Sequence, residues 1–314
     1  MATFAIVNKG IVYILLSGLA FMVVNIFVKI LGSGPNQGLI EGIQSFPIPE
    51  IILFRSIITF VMCFAVIRAR KLPFFGVNKK WLIIRGAFGT AALTIFFFTL
   101  DHLPLAVATT VQYLSPLFTV IIATVLLKEK VKYIQWFFMI VAFGGIALLG
   151  ASKFLSEDSL IASIPPMWIF LGVLSAFLSG VAYNAIVKCQ PTDQPITIVM
   201  YFPLIATPIM LLYAIFVEFV VPQGIEWLLI IIIGVFTQFA QLFMTKALHA
   251  ENTATVTPFK YFGSIYAFFI GLFLFDEVIS LYGIVAILLI LVGVLGNAIF
   301  RKRNFPRFGR KVFK

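Results

Sequence analysis

The sequence predicts an all-α integral membrane protein: ten transmembrane helices in two inverted five-helix repeats, with both termini cytoplasmic. Three observations point there. Of 314 residues, 61% are hydrophobic and only 11% charged, with a mean hydropathy of +1.10; a soluble chain carries charge at roughly a quarter of its positions. Lysine and arginine gather in alternate loops. The second half repeats a stretch of the first.

A helix needs about 20 mainly apolar residues to cross a bilayer core. The sequence offers such stretches at 10–31, 48–67, 81–100, 104–127, 133–151, 167–188, 195–217, 226–246, 253–275 and 280–300. Pro47 and Pro49 open the second, Pro104 the fourth and Pro195 the seventh, at first-turn positions where the missing N–H goes unused. The first stretch is too long for a signal-peptide core and no small-residue cleavage pattern follows it, so it reads as a retained helix. The loops between are short and leave no room for a catalytic module.

Orientation follows from the cations. Arg68, Arg70, Lys71, Lys79 and Lys80, with Arg85 just beyond, follow the second helix; Lys128, Lys130 and Lys132 follow the fourth. Lys9 precedes the first helix, Lys188 and Lys246 close the sixth and eighth, and seven more cations fill the tail after 300. On a ten-span zigzag all of these fall on one side, and the opposite loops hold only Lys153. The positive side is cytoplasmic. The net charge of +11 is therefore topological and implies no nucleic acid partner. The tail can also meet anionic lipid.

Residues 86–129 align with 234–277 at a constant offset of 148, with about a quarter of the positions identical: Gly86 with Gly234, Tyr113 with Tyr261, Glu129 with Glu277. Asn25-Ile-Phe-Val-Lys29 and Asn184-Ala-Ile-Val-Lys188 close the first and sixth helices alike. Five is odd, so the second copy crosses the membrane upside down, the architecture of secondary carriers with a site between repeats. The division expected is 1–151 for the first repeat, 167–300 for the second and 301–314 for a basic cytoplasmic tail.

Ionisable and amide groups inside a membrane are costly and mark sites. Lys260 lies well inside the ninth helix and aligns with Gln112 in the fourth; Tyr261 and Tyr113 follow them. Lys260 could instead reach back to the cytoplasmic interface. Arg55 sits near the outer end of the second helix, where it can grip a carboxylate or phosphate, or pair with Glu50 or Asp101. Asn25, Asn184, Tyr183, Gln238 and Gln241 complete the candidate substrate-binding set; such amides line cavities or tie helices together. Ser115, Thr119 and Ala123, and Gly263, Ala267 and Gly271, form small-residue stripes that suit close helix crossings. No Asp or Glu falls in the middle third of any helix, so a carboxylate proton relay is not evident. Cys63, Cys189, His102 and His249 have no metal-ligand spacing, and no nucleotide-binding loop is present. No cofactor is expected.

The N-x-x-V-K helix ends, Phe54-Arg55, Arg85-Gly86, the turn Leu103-Pro104-Leu105-Ala106 and the L-x-E endings at Glu129 and Glu277 resemble the drug/metabolite transporter superfamily, in its EamA-type branch. Ala254-Thr255-Val256-Thr257-Pro258-Phe259-Lys260-Tyr261 is most similar to that branch's S-adenosylmethionine uptake carriers. The resemblance implies a ten-helix carrier of a small polar metabolite (an amino acid or derivative, a nucleoside-like compound or an organic anion) in a bacterial inner membrane. Partners are then a small-molecule substrate and membrane lipid, with a homodimer left open. The alternative from the residues is a membrane acyl or lipid transferase, for which Asp101-His102 is the one tight acid–histidine pair.

Overall fold

The computed structural model describes residues 9–32, 42–126, 133–155, 165–216, 219–250, 270, 272–274 and 281–300. These form α1 (Lys9–Gly32), α2 (Ile48–Ala69), α3 (Lys79–His102), α4 (Leu105–Gln112), α5 (Ser115–Leu126), α6 (Tyr133–Leu155), α7 (Pro166–Cys189), α8 (Pro195–Phe216), α9 (Glu226–Ala250) and α10 (Leu281–Phe300). No strand occurs among the described residues. Seven helices among them are long and apolar enough to cross a membrane, with α4 and α5 counted as one span over Val107–Leu126. Most of the stretch expected at 253–275, with Lys260 and Tyr261, lies outside the described residues.

The continuous fourth helix expected at 104–127 is two helices. Tyr113 N donates to the Thr109 and Thr110 carbonyls, Leu114 N to Val111, and the ladder resumes at Phe118 N with Leu114 as acceptor. The cause is Pro116, which lacks an N–H and whose ring crowds the carbonyl four residues back, that of Gln112. The break therefore falls at Tyr113 and Leu114, directly after Gln112 and inside the span.

The helices pack in a defined set of pairs. α1 lies on α9 and α3 on α7; α2 lies on α8 and α6 on α10; α3 also touches α8, and α2 touches α9. Glycine allows the closest crossings. A Cβ on Gly86 would stand 2.5 Å from the Tyr201 carbonyl oxygen of α8, and one on Gly293 2.5 Å from the Phe138 carbonyl oxygen of α6. Outward positions such as Val61, Ile83, Phe170, Leu212 and Ile215 are exposed and apolar, as a lipid-facing surface requires.

Each end of the bundle is held by buried or half-buried carboxylates. At the end where α1 begins, called here the Lys9 face, Asp193 accepts from Val77 N at 2.6 Å, Asn78 N at 3.2 Å and Thr192 Oγ1 at 2.7 Å. Tyr201 Oη donates to the Phe75 carbonyl at 2.7 Å. At the opposite Gly32 face, Glu226 accepts from Gln44 N at 2.7 Å, Gln44 Nε2 at 2.9 Å and Gln223 N at 2.7 Å. Glu50 there accepts from Val220 N at 3.1 Å. One apolar core fills the Gly32 half around Leu31, Ile52, Phe97 and Leu103, and a second fills the Lys9 half around Ile14, Ile67, Leu82 and Met200.

Candidate substrate cavity

Between those two cores lies a cavity of about 130 Å³. One water takes about 10–15 Å³ on the same measure, so there is room for a cluster of waters or a small solute. α1 contributes Ser17, Phe21 and Asn25; α3 contributes Arg85, Gly89 and Phe96; the α4–α5 break contributes Gln112, Tyr113 and Ser115. Ser179 and Tyr183 come from α7, Phe202 from α8, Gln241 and Met244 from α9, and Arg55 from α2. Apolar walls with a few converging polar groups are the usual make-up of a small-molecule site.

Arg55 dominates its chemistry. The side chain is 1% exposed, and Nε, Nη1 and Nη2 have no hydrogen-bond partner among the described residues. Neither Glu50 nor Asp101 pairs with it: Glu50 is held by Val220 N, and Asp101 stands 3.7 Å from His102 Nδ1. What surrounds the guanidinium is aromatic, with Cζ 5.3 Å from both the Phe97 and the Phe202 ring centroids. Cation–π contact is worth about 2 kcal/mol when desolvated, whereas stripping an ion of water costs several kcal/mol. The rings offset part of that cost and leave five N–H donors unused.

Gln112 is oriented by α7. Its Nε2 donates to Ser179 Oγ at 2.9 Å, while Ser175 Oγ lies 3.0 Å from Gln112 Oε1 and 2.7 Å from the Ala92 carbonyl. Asn25, Tyr113, Tyr183 and Gln241 share the same lining. Asn184 and Gln238 do not. Asn184 Nδ2 donates to the Thr119 carbonyl at 3.0 Å and the Gly180 carbonyl at 2.9 Å, tying α7 to α5. Gln238 Oε1 accepts from Cys63 Sγ at 3.3 Å, tying α9 to α2. Lys260 and Tyr261 lie outside the described residues. Elsewhere, His102 stacks on Trp168 with ring centroids 3.7 Å apart and lies away from the cavity lining.

Arg85 is the residue that sequence reasoning left among the topology cations. It is 2% exposed and lines the cavity. Its Nη2 donates to Gln241 Oε1 at 2.7 Å, and Nε has no partner among the described residues. The signal in the sequence is Gly89, one turn on. A Cβ there would collide with Arg85 Nη1, so the glycine is the recess in which the guanidinium lies.

A match to the EamA-like transporter family spans residues 8–151 and 166–299. The chain belongs to that family. It is a multi-pass membrane transporter, and its relatives are named as exporters, solute carriers or transporters. It is 26% identical over 263 residues to a pseudopaline exporter of Pseudomonas aeruginosa, covering 83% of this chain and 86% of that one. Solute carrier family 35 member G1 of Mus musculus is 26% identical over 305 residues, 93% and 78% of the two chains. The S-adenosylmethionine uptake transporter of Rickettsia prowazekii is 22% identical over 196 residues, 62% and 63%. A crystal structure of a protein of 19% identity superposes with a TM-score of 0.63 over 92% of this chain and 96% of its own; at that identity the likeness speaks for the fold alone.

Proposed function

We propose that this EamA-family chain carries a small polar metabolite across the bacterial inner membrane by alternating access at the cavity around Arg55. The observation that carries the reading is the buried guanidinium without a hydrogen-bond partner among the described residues, facing a cavity. An unpaired charge in a low-dielectric interior persists where a ligand completes it. Amino acids and their derivatives, nucleoside-like phosphates and organic anions all carry a carboxylate or phosphate that Arg55 can hold in a two-pronged grip. Asn25, Gln112, Tyr113, Tyr183 and Gln241 then meet the remaining polar groups. One relative is named for export and another for uptake, so direction does not follow from kinship.

The helix pairs support the two-repeat division at 1–151 and 167–300. Exchanging each helix for its partner five spans away turns the α1–α9 contact into the α3–α7 contact and the α3–α8 contact into α2–α9. It returns α2–α8 and α6–α10 to themselves. The ends obey the same exchange. On the Lys9 face the loop before α8 grips the loop before α3, through Asp193; on the Gly32 face the loop before α2 grips the start of α9, through Glu226. Such a pair of clasps suits a carrier that opens one end at a time. Lys188 over Trp81 and Lys246 over Tyr13 put basic side chains on the Lys9 face, the side that the positive-inside rule makes cytoplasmic.

The test is flux. Purified protein in proteoliposomes is offered amino acids, nucleosides, S-adenosylmethionine, phosphate esters and organic acids. Saturable uptake of one class is expected, falling at least tenfold in Arg55→Gln. If no class enters faster than into empty liposomes, the reading fails.

A further inference from the structure

The cavity holds a second buried cation that a singly charged substrate would leave uncompensated. We infer that the transported compound carries two anionic groups joined by an apolar segment, one group held by Arg55 and the other by Arg85. Arg85 is then the residue that selects dianions over monoanions. This rests on the reading that the cavity binds the transported molecule.

The two arginines enter from opposite ends. Arg55 is in the second turn of α2, which starts at the Gly32 face; Arg85 is in the second turn of α3, which starts at the Lys9 face. Each lies roughly 10 Å from its helix start at 1.5 Å per residue. Both reach the same Phe202 ring, Arg55 Cζ at 5.3 Å and Arg85 Cζ at 5.9 Å from its centroid. Two guanidinium groups of like charge thus share one aromatic ring. A ligand that bridges them needs two anionic groups joined by apolar atoms that can lie against this ring, and Phe96 and Phe97 supply further apolar lining.

Nothing described in the cavity wall neutralises the pair, since none of the lining residues is Asp or Glu. Arg85 is held in place without its charge being cancelled. Gln241 is neutral and accepts one hydrogen bond from Nη2. With one lone pair of its oxygen engaged by Arg85, Gln241 still has two N–H donors, and these suit an anion. Gly89 provides the space that lets Arg85 lie in the wall. Two fixed cations, a donor amide and a shared aromatic ring form one recognition pattern.

The probes are the α,ω-dicarboxylates from malonate to suberate, with 3-phosphopropionate as a mixed carboxylate–phosphate, against their monomethyl esters, which keep the shape and remove one charge. Affinities are measured by isothermal titration on the full-length purified protein, wild type, Arg85→Gln, Gly89→Ala and Arg55→Gln. Gly89→Ala displaces the Arg85 side chain while keeping its charge, so it carries the test if Arg85→Gln does not fold. Wild type is expected to bind its best dianion at least about tenfold more tightly than the monoester. Arg85→Gln and Gly89→Ala should reduce that preference to within about twofold, the dianion losing more affinity than its monoester. Arg55→Gln should weaken both.

A dianion preference that survives both Arg85→Gln and Gly89→Ala overturns the assignment, as does the absence of any dianion binding to wild type. A parallel measurement separates this failure from failure of the cavity reading. In Asn25→Cys, maleimide labelling reports occupancy of the cavity, because the native Cys63 and Cys189 are buried. Protection by monoesters as strong as by dianions sinks the dianion inference and leaves the cavity reading standing. Binding of probes without any protection sinks the cavity reading, and the inference with it.

Discussion

Asp193 and Arg55 are both buried charges, and the protein treats them in opposite ways. Asp193, 7% exposed, accepts hydrogen bonds from two backbone N–H groups and a hydroxyl. Arg55, 1% exposed, has no such partner among the described residues. The same contrast separates the ends of the bundle from its middle: Glu226 and Glu50 at the Gly32 face are satisfied by backbone donors, while Arg55 and Arg85 keep unpaired nitrogens at the cavity. A satisfied buried charge contributes stability; an unsatisfied one costs stability and keeps its donors for a ligand. The end carboxylates hold the helices in place; on the proposed reading, the central arginines await what is carried.

The largest effect expected from this contrast is at Asp193. Asp193→Ala strands Val77 N and Asn78 N and should lower stability by about 2–4 kcal/mol, read as a fall in the thermal midpoint in detergent. A neutral result would break the contrast at its structural end. Arg55→Leu should move stability the other way, by roughly +1 to +3 kcal/mol, because an apolar side chain between Phe97 and Phe202 relieves the desolvation cost. A destabilised Arg55→Leu would mean that the guanidinium is structural.

The matched asparagines sharpen the comparison on a smaller scale. Asn184→Ala removes one hydrogen bond from α7 to α5 and one within α7 and should cost about 0.6–1.7 kcal/mol while leaving the substrate KM unchanged. Asn25→Ala should leave the thermal midpoint within a degree or two and raise KM several-fold. Equal effects of the two on both readouts would erase the distinction between cavity and scaffold. The smallest effect is expected at Gln238→Leu, where only the weak Cys63 Sγ bond is lost and the change should stay near 0.5 kcal/mol.

The helical class, the apolar spans and the family were readable in the sequence because composition, hydropathy and matched motifs are one-dimensional signals. Which face a polar residue presents was not. These helices are apolar all round, so periodicity gives no direction, and Asn25 and Asn184, matched in motif, end in different surroundings. Arg85 looked like a flanking cation since it lies within two turns of a basic loop; its burial depends on Gly89 beside it and α8 across from it, a tertiary fact. The break after Gln112 was written in Pro116, but hydropathy reads through a proline that backbone hydrogen bonding cannot.

The central claim is that the cavity at Arg55 receives the transported compound. Its most direct test is thermal unfolding of wild type and Arg55→Leu with the same panel of anionic metabolites, each at a concentration about a hundredfold above its wild-type Kd. Wild type should gain about 2.7 kcal/mol of apparent stability from a bound compound, and Arg55→Leu should gain nothing measurable. An equal gain in both proteins would place the ligand elsewhere and contradict the account.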